Sequence, residues 1–198
     1  MLLTLIWLCA ALLYAAFYVW YVGFQRRLTP DEVTAICAQL EAHWPPDRLA
    51  PVRAFLSQDS GREFYMVNLL KLRARTASGE RGSTVMQRYQ GPFLKAMLRR
   101  GGHPIAVGVA ASSAVECWGL EQGEHWSVAA MVRYRSRRDL AAILLTTDFQ
   151  QIHLHKEAAV EKTIAFASDP AYVVGGGPKL TVPLVLLTLA LLATVLLG

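Results

Sequence analysis

Two polar residues interrupt an otherwise apolar stretch at 63–73 (EFYMVNLLKLR): Asn68 and Lys71. In a strand, Asn68 shares a side with Met66 and Leu70, and Lys71 with Val67 and Leu69. Either could reach a cleft between a sheet and its helices. The plainer outcome is that Asn68 satisfies a nearby backbone group and Lys71 carries its ammonium past the strand end. A second set gathers at 103–126: His103, Glu116, Trp118, His125 and Trp126. An acid, two imidazoles and two indoles at a barrel mouth could hold a planar ligand. Imidazole is also the side chain whose ordinary pKa suits proton transfer near neutrality. The competing outcome is a solvated loop whose indoles pack on a neck or a membrane surface. With Tyr89, which a helix carries between these segments, Asn68, His103 and Trp118 are the candidate catalytic positions.

Arg133, Arg135, Arg137 and Arg138 surround Ser136 at a predicted helix start. Cations there oppose the helix dipole. The four arginines therefore ask for an anion: a lipid phosphate, a partner's carboxylate or Asp139. A solvated basic turn is the alternative. His153 and His155 are two apart on a helix and face different ways. His153 and Glu157 are four apart, but two ligands fall short of a metal site. We expect no metal and no cofactor, with His153 at a surface or interface. Cys9, Cys37 and Cys117 lack metal or redox spacing and read as free thiols, the latter two buried, in a reducing compartment. The chain has no phosphate-binding loop, dinucleotide fingerprint, serine-hydrolase elbow or paired-Cys zinc pattern.

The elements that must position these residues follow from capping and periodicity. Thr29-Pro30-Asp31-Glu32 predicts a capped helix start, continued by Val33, Ile36, Cys37 and Leu40 on one side. A short helix over 47–56 completes a helical neck. Strands are predicted at 63–73, 104–111, 127–135 and 163–167. Helices are predicted at 84–100, with a kink at Gly91-Pro92, then at 136–147 and 149–161. The order βαββαβ predicts an α+β, ferredoxin-like fold. Its helices cover one sheet face, so the other face needs a cover, for which a second copy is the natural choice.

The ends are different in kind. Residues 2–24 and 180–197 carry no charge, so all 20 Lys and Arg and all 15 Asp and Glu lie between them. The first run is long enough to cross a hydrocarbon core of about 30 Å. Phe17, Tyr18, Trp20, Tyr21 and Phe24 suit the headgroup level, followed by Arg26 and Arg27. A cleaved signal would want leading positive charge and small residues at its end, so a retained anchor is expected. Pro183 is expected in the first turn of the second span, after a hinge at Gly175-Gly176-Gly177-Pro178. The chain divides into a span at 1–25, a neck at 26–60, a ferredoxin-like domain at 61–168, a linker at 169–179 and a span at 180–198. Arg26, Arg27, Lys162 and Lys179 place the domain on the cytoplasmic side of a bacterial-type inner membrane, with both termini outside. The net charge of +5 belongs to the domain and favours anionic headgroups over nucleic acid.

Four phrases resemble the domain-of-unknown-function family 1330: VNLLKLR (67–73), RYQGPFLKAMLRRGG (88–102), MVRYRSRRDL (131–140) and TTDFQQIHLHKEAAVEKT (146–163). The resemblance implies a dimeric α+β barrel, a ferredoxin-like protomer that pairs through its sheet, and no assigned reaction. The spans, the neck and the long connection at 112–126 depart from the family. The expected function is a membrane-anchored dimerisation or interaction module. It would be an accessory or assembly subunit whose partners are the bilayer and a second copy or a membrane complex. The alternative is a cofactor-independent oxidoreductase or isomerase acting on an apolar, quinone-like or aromatic substrate from the membrane. The alternative requires an enclosed pocket reached by Asn68, Tyr89, His103 or Trp118.

Overall fold

The computed structural model describes residues 1–119, 124–171 and 176–197, in two compact units. One comprises Gln25–Asp169; the other joins Met1–Phe24 to Pro170–Gly198.

The second unit holds α1 (Leu2–Val22) and α7 (Gly177–Leu197), each of 21 residues and packed on one another. At 1.5 Å per residue each is about 31 Å long. Both are long and apolar enough to cross a membrane. They are apolar all round and, apart from Tyr21 and Ala190, unburied, which is unlike a soluble core helix. In α7 the hydroxyls of Thr181, Thr188 and Thr194 donate to carbonyls one turn back, so no hydroxyl is left bare among hydrocarbon. α7 begins three residues before 180. Gly177 and Pro178 therefore belong to the helix rather than to a hinge, and Pro183 lies in its interior. Gly175 lies outside the described residues.

The first unit opens with the neck, α2 (Pro30–Leu40) and α3 (Pro46–Ser57). Thr29 Oγ1 accepts from the Glu32 amide at 3.3 Å, and Glu32 Oε2 accepts from the Thr29 amide at 2.8 Å, a complete capping box. Asp59 ties the neck's entry to its exit, accepting from the amides of Leu28 (2.8 Å) and Gly61 (3.0 Å).

Four strands follow: β1 (Phe64–Leu72), β2 (His103–Val109), β3 (Val128–Tyr134) and β4 (Val160–Ser168). They form one antiparallel sheet in the order β2-β3-β1-β4. With α4 (Gly82–Leu98), α5 (Arg137–Leu144) and α6 (Thr147–Ala159), this is the ferredoxin-like βαββαβ arrangement. β4 starts at Val160 because Leu72 pairs with it across a bulge after Lys71, drawing residues 160 and 161 out of the helix predicted there. α4 runs through Pro92 as one helix.

Strand register sorts the side chains. Phe64, Met66, Asn68 and Leu70 share a side with Tyr134, Val132, Ala130 and Val128. The helices pack on this face, where Phe64 stacks on Tyr134 at 5.2 Å and meets Phe55 edge-on at 5.1 Å. Val67 and Leu69 share the opposite face with Met131, Ala129, Phe166 and Ile164. Among the described residues no helix of this unit covers that side.

Gly82 shows how closely α4 meets the sheet end. A Cβ there would sit 2.3 Å from the Arg73 carbonyl oxygen and 2.9 Å from that of Ala159. Both are backbone atoms, so Gly82→Ala should cost about 2–3 kcal/mol through forced backbone movement. An unchanged melting temperature of the intact chain would show that the contact can relax.

Candidate functional site

The helices do not close fully on the sheet. A cleft of about 1080 Å³ lies between them. Its floor is the side of the sheet carrying Met66, Asn68, Leu70, Ala130 and Val132; α4, α6 and α3 supply Met86, Tyr89, Phe149, His153, Lys156 and Phe55. The lining is mainly apolar, with a few polar groups set into it, as small-molecule sites usually are. Asn68 donates to the Met66 carbonyl at 3.0 Å, the local satisfaction that strand geometry allows, and still borders the cleft. Lys71 lies on the other face and pairs with Glu161 at 3.0 Å and Glu124 at 3.8 Å.

His153, expected at a surface or interface, instead borders the cleft with its side chain 16% exposed. Its ring lies 5.0 Å from Phe149, 5.8 Å from Trp44 and 6.1 Å from Tyr89, while Tyr89 stacks on Phe93 at 5.0 Å. Nε2 is 3.7 Å from Glu157, whose carboxylate also pairs with Arg48. Nδ1 is buried and has no hydrogen-bond partner in the structure. Lys156 places its ammonium over the Tyr89 ring at 5.6 Å. Burial first, then the nearby Lys156 and Arg48 cations, push the His153 imidazole down to about 4, against a pull from Glu157. Burial likewise lowers Lys156 and raises the Tyr89 phenol. The wall of the cleft is thus an aromatic box around a neutral imidazole.

A pH dependence follows. The folded value of about 4 lies below the usual 6.5, so on acidification the unfolded chain takes up this proton first. The contribution is intact above about pH 6.5, is lost as pH falls toward 4, and levels off below that. We expect about 2–3 kcal/mol across this window. It is to be read as the difference in melting profile between the wild-type chain and His153→Phe. Parallel profiles would refute it.

The structure brings Asn68 and Tyr89 to one cleft and leaves the other two candidates outside it. His103 begins β2 in register with Arg133, on the face turned from the cleft, and its Nδ1 lies 2.9 Å from the Pro104 carbonyl oxygen. Trp118 is 84% exposed in the β2–β3 connection, part of which (120–123) lies outside the described residues. His103 and Trp118 fail to converge with Asn68 because strand register, set by the β2–β3 pairing, sends His103 to the opposite face.

The four arginines meet anions and carbonyls of their own chain. Arg133 donates to Glu63 at 2.7 Å and to the Gly101 carbonyl at 2.6 Å. Arg135 forms a two-pronged pair with Asp139 at 2.7 and 2.8 Å. Arg137 donates to the Phe55 carbonyl and lies over the Phe55 ring at 4.5 Å. Arg138 donates to both Glu32 oxygens at 2.9 Å, which with Arg26 holds that carboxyl far below its usual range. Asp139 is itself buried and accepts from the Ser136 hydroxyl at 2.9 Å. Among the described residues no three His, Cys, Asp or Glu side chains gather as metal ligands. Cys37 is buried, Cys117 half-buried and Cys9 exposed, and among the described residues no disulfide joins them; Cys117 is less buried than expected because it lies in the open β2–β3 connection.

No family model matches the chain, and no curated protein does. Among solved structures it is similar to the RPA0582 protein of unknown function from Rhodopseudomonas palustris. That match is at 23% identity and a TM-score of 0.55, over 66% of this chain and 96% of that one. A methylated RPA0582 protein matches at 24% identity and 0.55, over 67% and 95%. A dimeric protein of unknown function and ferredoxin-like fold from Bacteroides fragilis matches at 15% identity and 0.35, over 54% and 95%. The likeness to the first two is one of fold.

Proposed function

We propose that the chain is a membrane-anchored module that self-pairs through its free sheet face, as an accessory or assembly subunit of a membrane complex. The observation that carries this reading is the open face itself. Val67, Leu69, Met131, Ile164 and Phe166 share it by register, with Ile164 43% and Phe166 53% exposed. A contiguous apolar face of this kind marks an interaction surface. At one end of the sheet it is rimmed by Lys71–Glu161 and Lys162–Glu124 pairs, so both signs of charge are present for a two-fold partner to meet. The two terminal helices act as anchors, with Arg26, Arg27, Lys162 and Lys179 setting the domain on the cytoplasmic side. The core is a diverged relative of family 1330, supported by four phrases that fall in family order on β1, α4, β3–α5 and α6–β4. The test is the mass of the intact chain in mild detergent and crosslinking in native membranes. A dimer, or a captured membrane partner, is expected. A monomer at all concentrations with no captured partner would overturn the proposal.

The cleft favours a second reading: the domain takes up an apolar molecule from the bilayer and transforms it without a cofactor. Its volume and its apolar lining, with Asn68 and Tyr89 at its border, support this. Saturable binding of a bicyclic aromatic compound by the intact chain is the expected result, and its absence would remove the reading.

A further inference from the structure

We infer that the cleft wall at His153 is a site for a flat apolar molecule bearing a phenolic or enolic hydroxyl, which donates its hydrogen bond to the imidazole. This rests on the second reading above, that the cleft holds a small molecule. Three observations single out the ligand class. First, Nδ1 of His153 is buried without a partner. A bare buried acceptor is costly, and pairing it recovers that cost. Nε2 faces Glu157 at 3.7 Å, so the proton of the neutral ring belongs on that side and Nδ1 keeps its lone pair. Turning the imidazole about its Cβ–Cγ bond, a soft torsion, is what would bring that nitrogen to the cleft the ring borders. Second, Trp44, Tyr89 and Phe149 surround the ring at 5.0–6.1 Å. Aromatic walls select a planar body by stacking and edge contacts. Third, Lys156 lies over Tyr89 at 5.6 Å, a cation beside the place where the ligand oxygen gains negative character. A carboxylic acid fits less well. Ionised, it has no proton for Nδ1, and it would face the Glu157 carboxylate.

The test uses the intact chain in lipid nanodiscs, with empty nanodiscs subtracted, and two probes: 2-naphthol and 2-methoxynaphthalene. The probes share a ring system and differ in the hydroxyl proton. Calorimetry should show 2-naphthol binding about tenfold more tightly. In His153→Phe that preference should vanish. Equal affinities in the unmodified chain, or a preference that survives in His153→Phe, would overturn the assignment of His153 and leave the cleft reading intact. Binding of neither probe would overturn both. The comparison in the unmodified chain decides the matter even if His153→Phe does not fold.

Discussion

Replacing Arg133 with methionine should lower the stability of the folded domain by about 3–5 kcal/mol, the usual cost of breaking a buried ion pair from one side. Arg133 is 2% exposed. It sits on β3 and reaches in two directions. Its Nε donates to Glu63, just before β1, at 2.7 Å, and Nη1 donates to the carbonyl of Gly101, at the turn between α4 and β2, at 2.6 Å. Methionine keeps much of the apolar stem but leaves a carboxylate and a buried carbonyl without their donor. The turn has little room to rearrange: a Cβ on Gly102 would lie 3.0 Å from the Arg133 carbonyl oxygen and 2.6 Å from Met97 Cγ. Thermal melting of the intact chain in detergent reads the loss. Glu63→Gln should cost much less, because the guanidinium keeps an acceptor. A loss below about 1 kcal/mol for Arg133→Met would mean that the pair is as weak as a surface one.

Arg133 also marks where the sequence stops being legible. Its place among four arginines at a helix start suggested a shared anion site. In the fold its partners lie 70 and 32 residues away, and no local pattern reports such distances. Arg135 differs, because Asp139 is four residues on and the pairing can be read from spacing. The neck helix was equally local: Thr29, Pro30 and Glu32 announce their own capping box. Strand alternation placed Asn68 beside Met66 and Leu70, and its bond to the Met66 carbonyl is two residues long. His153 was opaque for the opposite reason. Only Phe149 lies on its own helix; Trp44 follows α2 and Tyr89 belongs to α4. Periodicity places α6 but does not say which side of it meets aromatic rings instead of water. The start of α7 is masked by glycines and Pro178, a linker-like composition, although proline in a first turn is compatible with helix.

Phe166→Glu should convert the self-paired species to monomers, raising the dimer dissociation constant about a thousandfold or more. The magnitude follows from symmetry. In a two-fold interface one substitution appears twice, and each buried, unpaired carboxylate costs at least about 2 kcal/mol, which together comes to about three powers of ten in affinity. Phe166 is suited to the test because it pairs with Val67 in the sheet yet is 53% exposed, so the fold within one chain loses little when it is changed. Leu154→Glu is the matched control. Leu154 is 63% exposed on α6, on the helix-covered side of the sheet, and an acidic residue there should leave self-pairing unchanged. Mass in mild detergent over a concentration series separates the outcomes. If Phe166→Glu dissociates the pair and Leu154→Glu does not, the sheet face is the interface. If both variants remain paired with wild-type affinity, the sheet face is not the interface between copies.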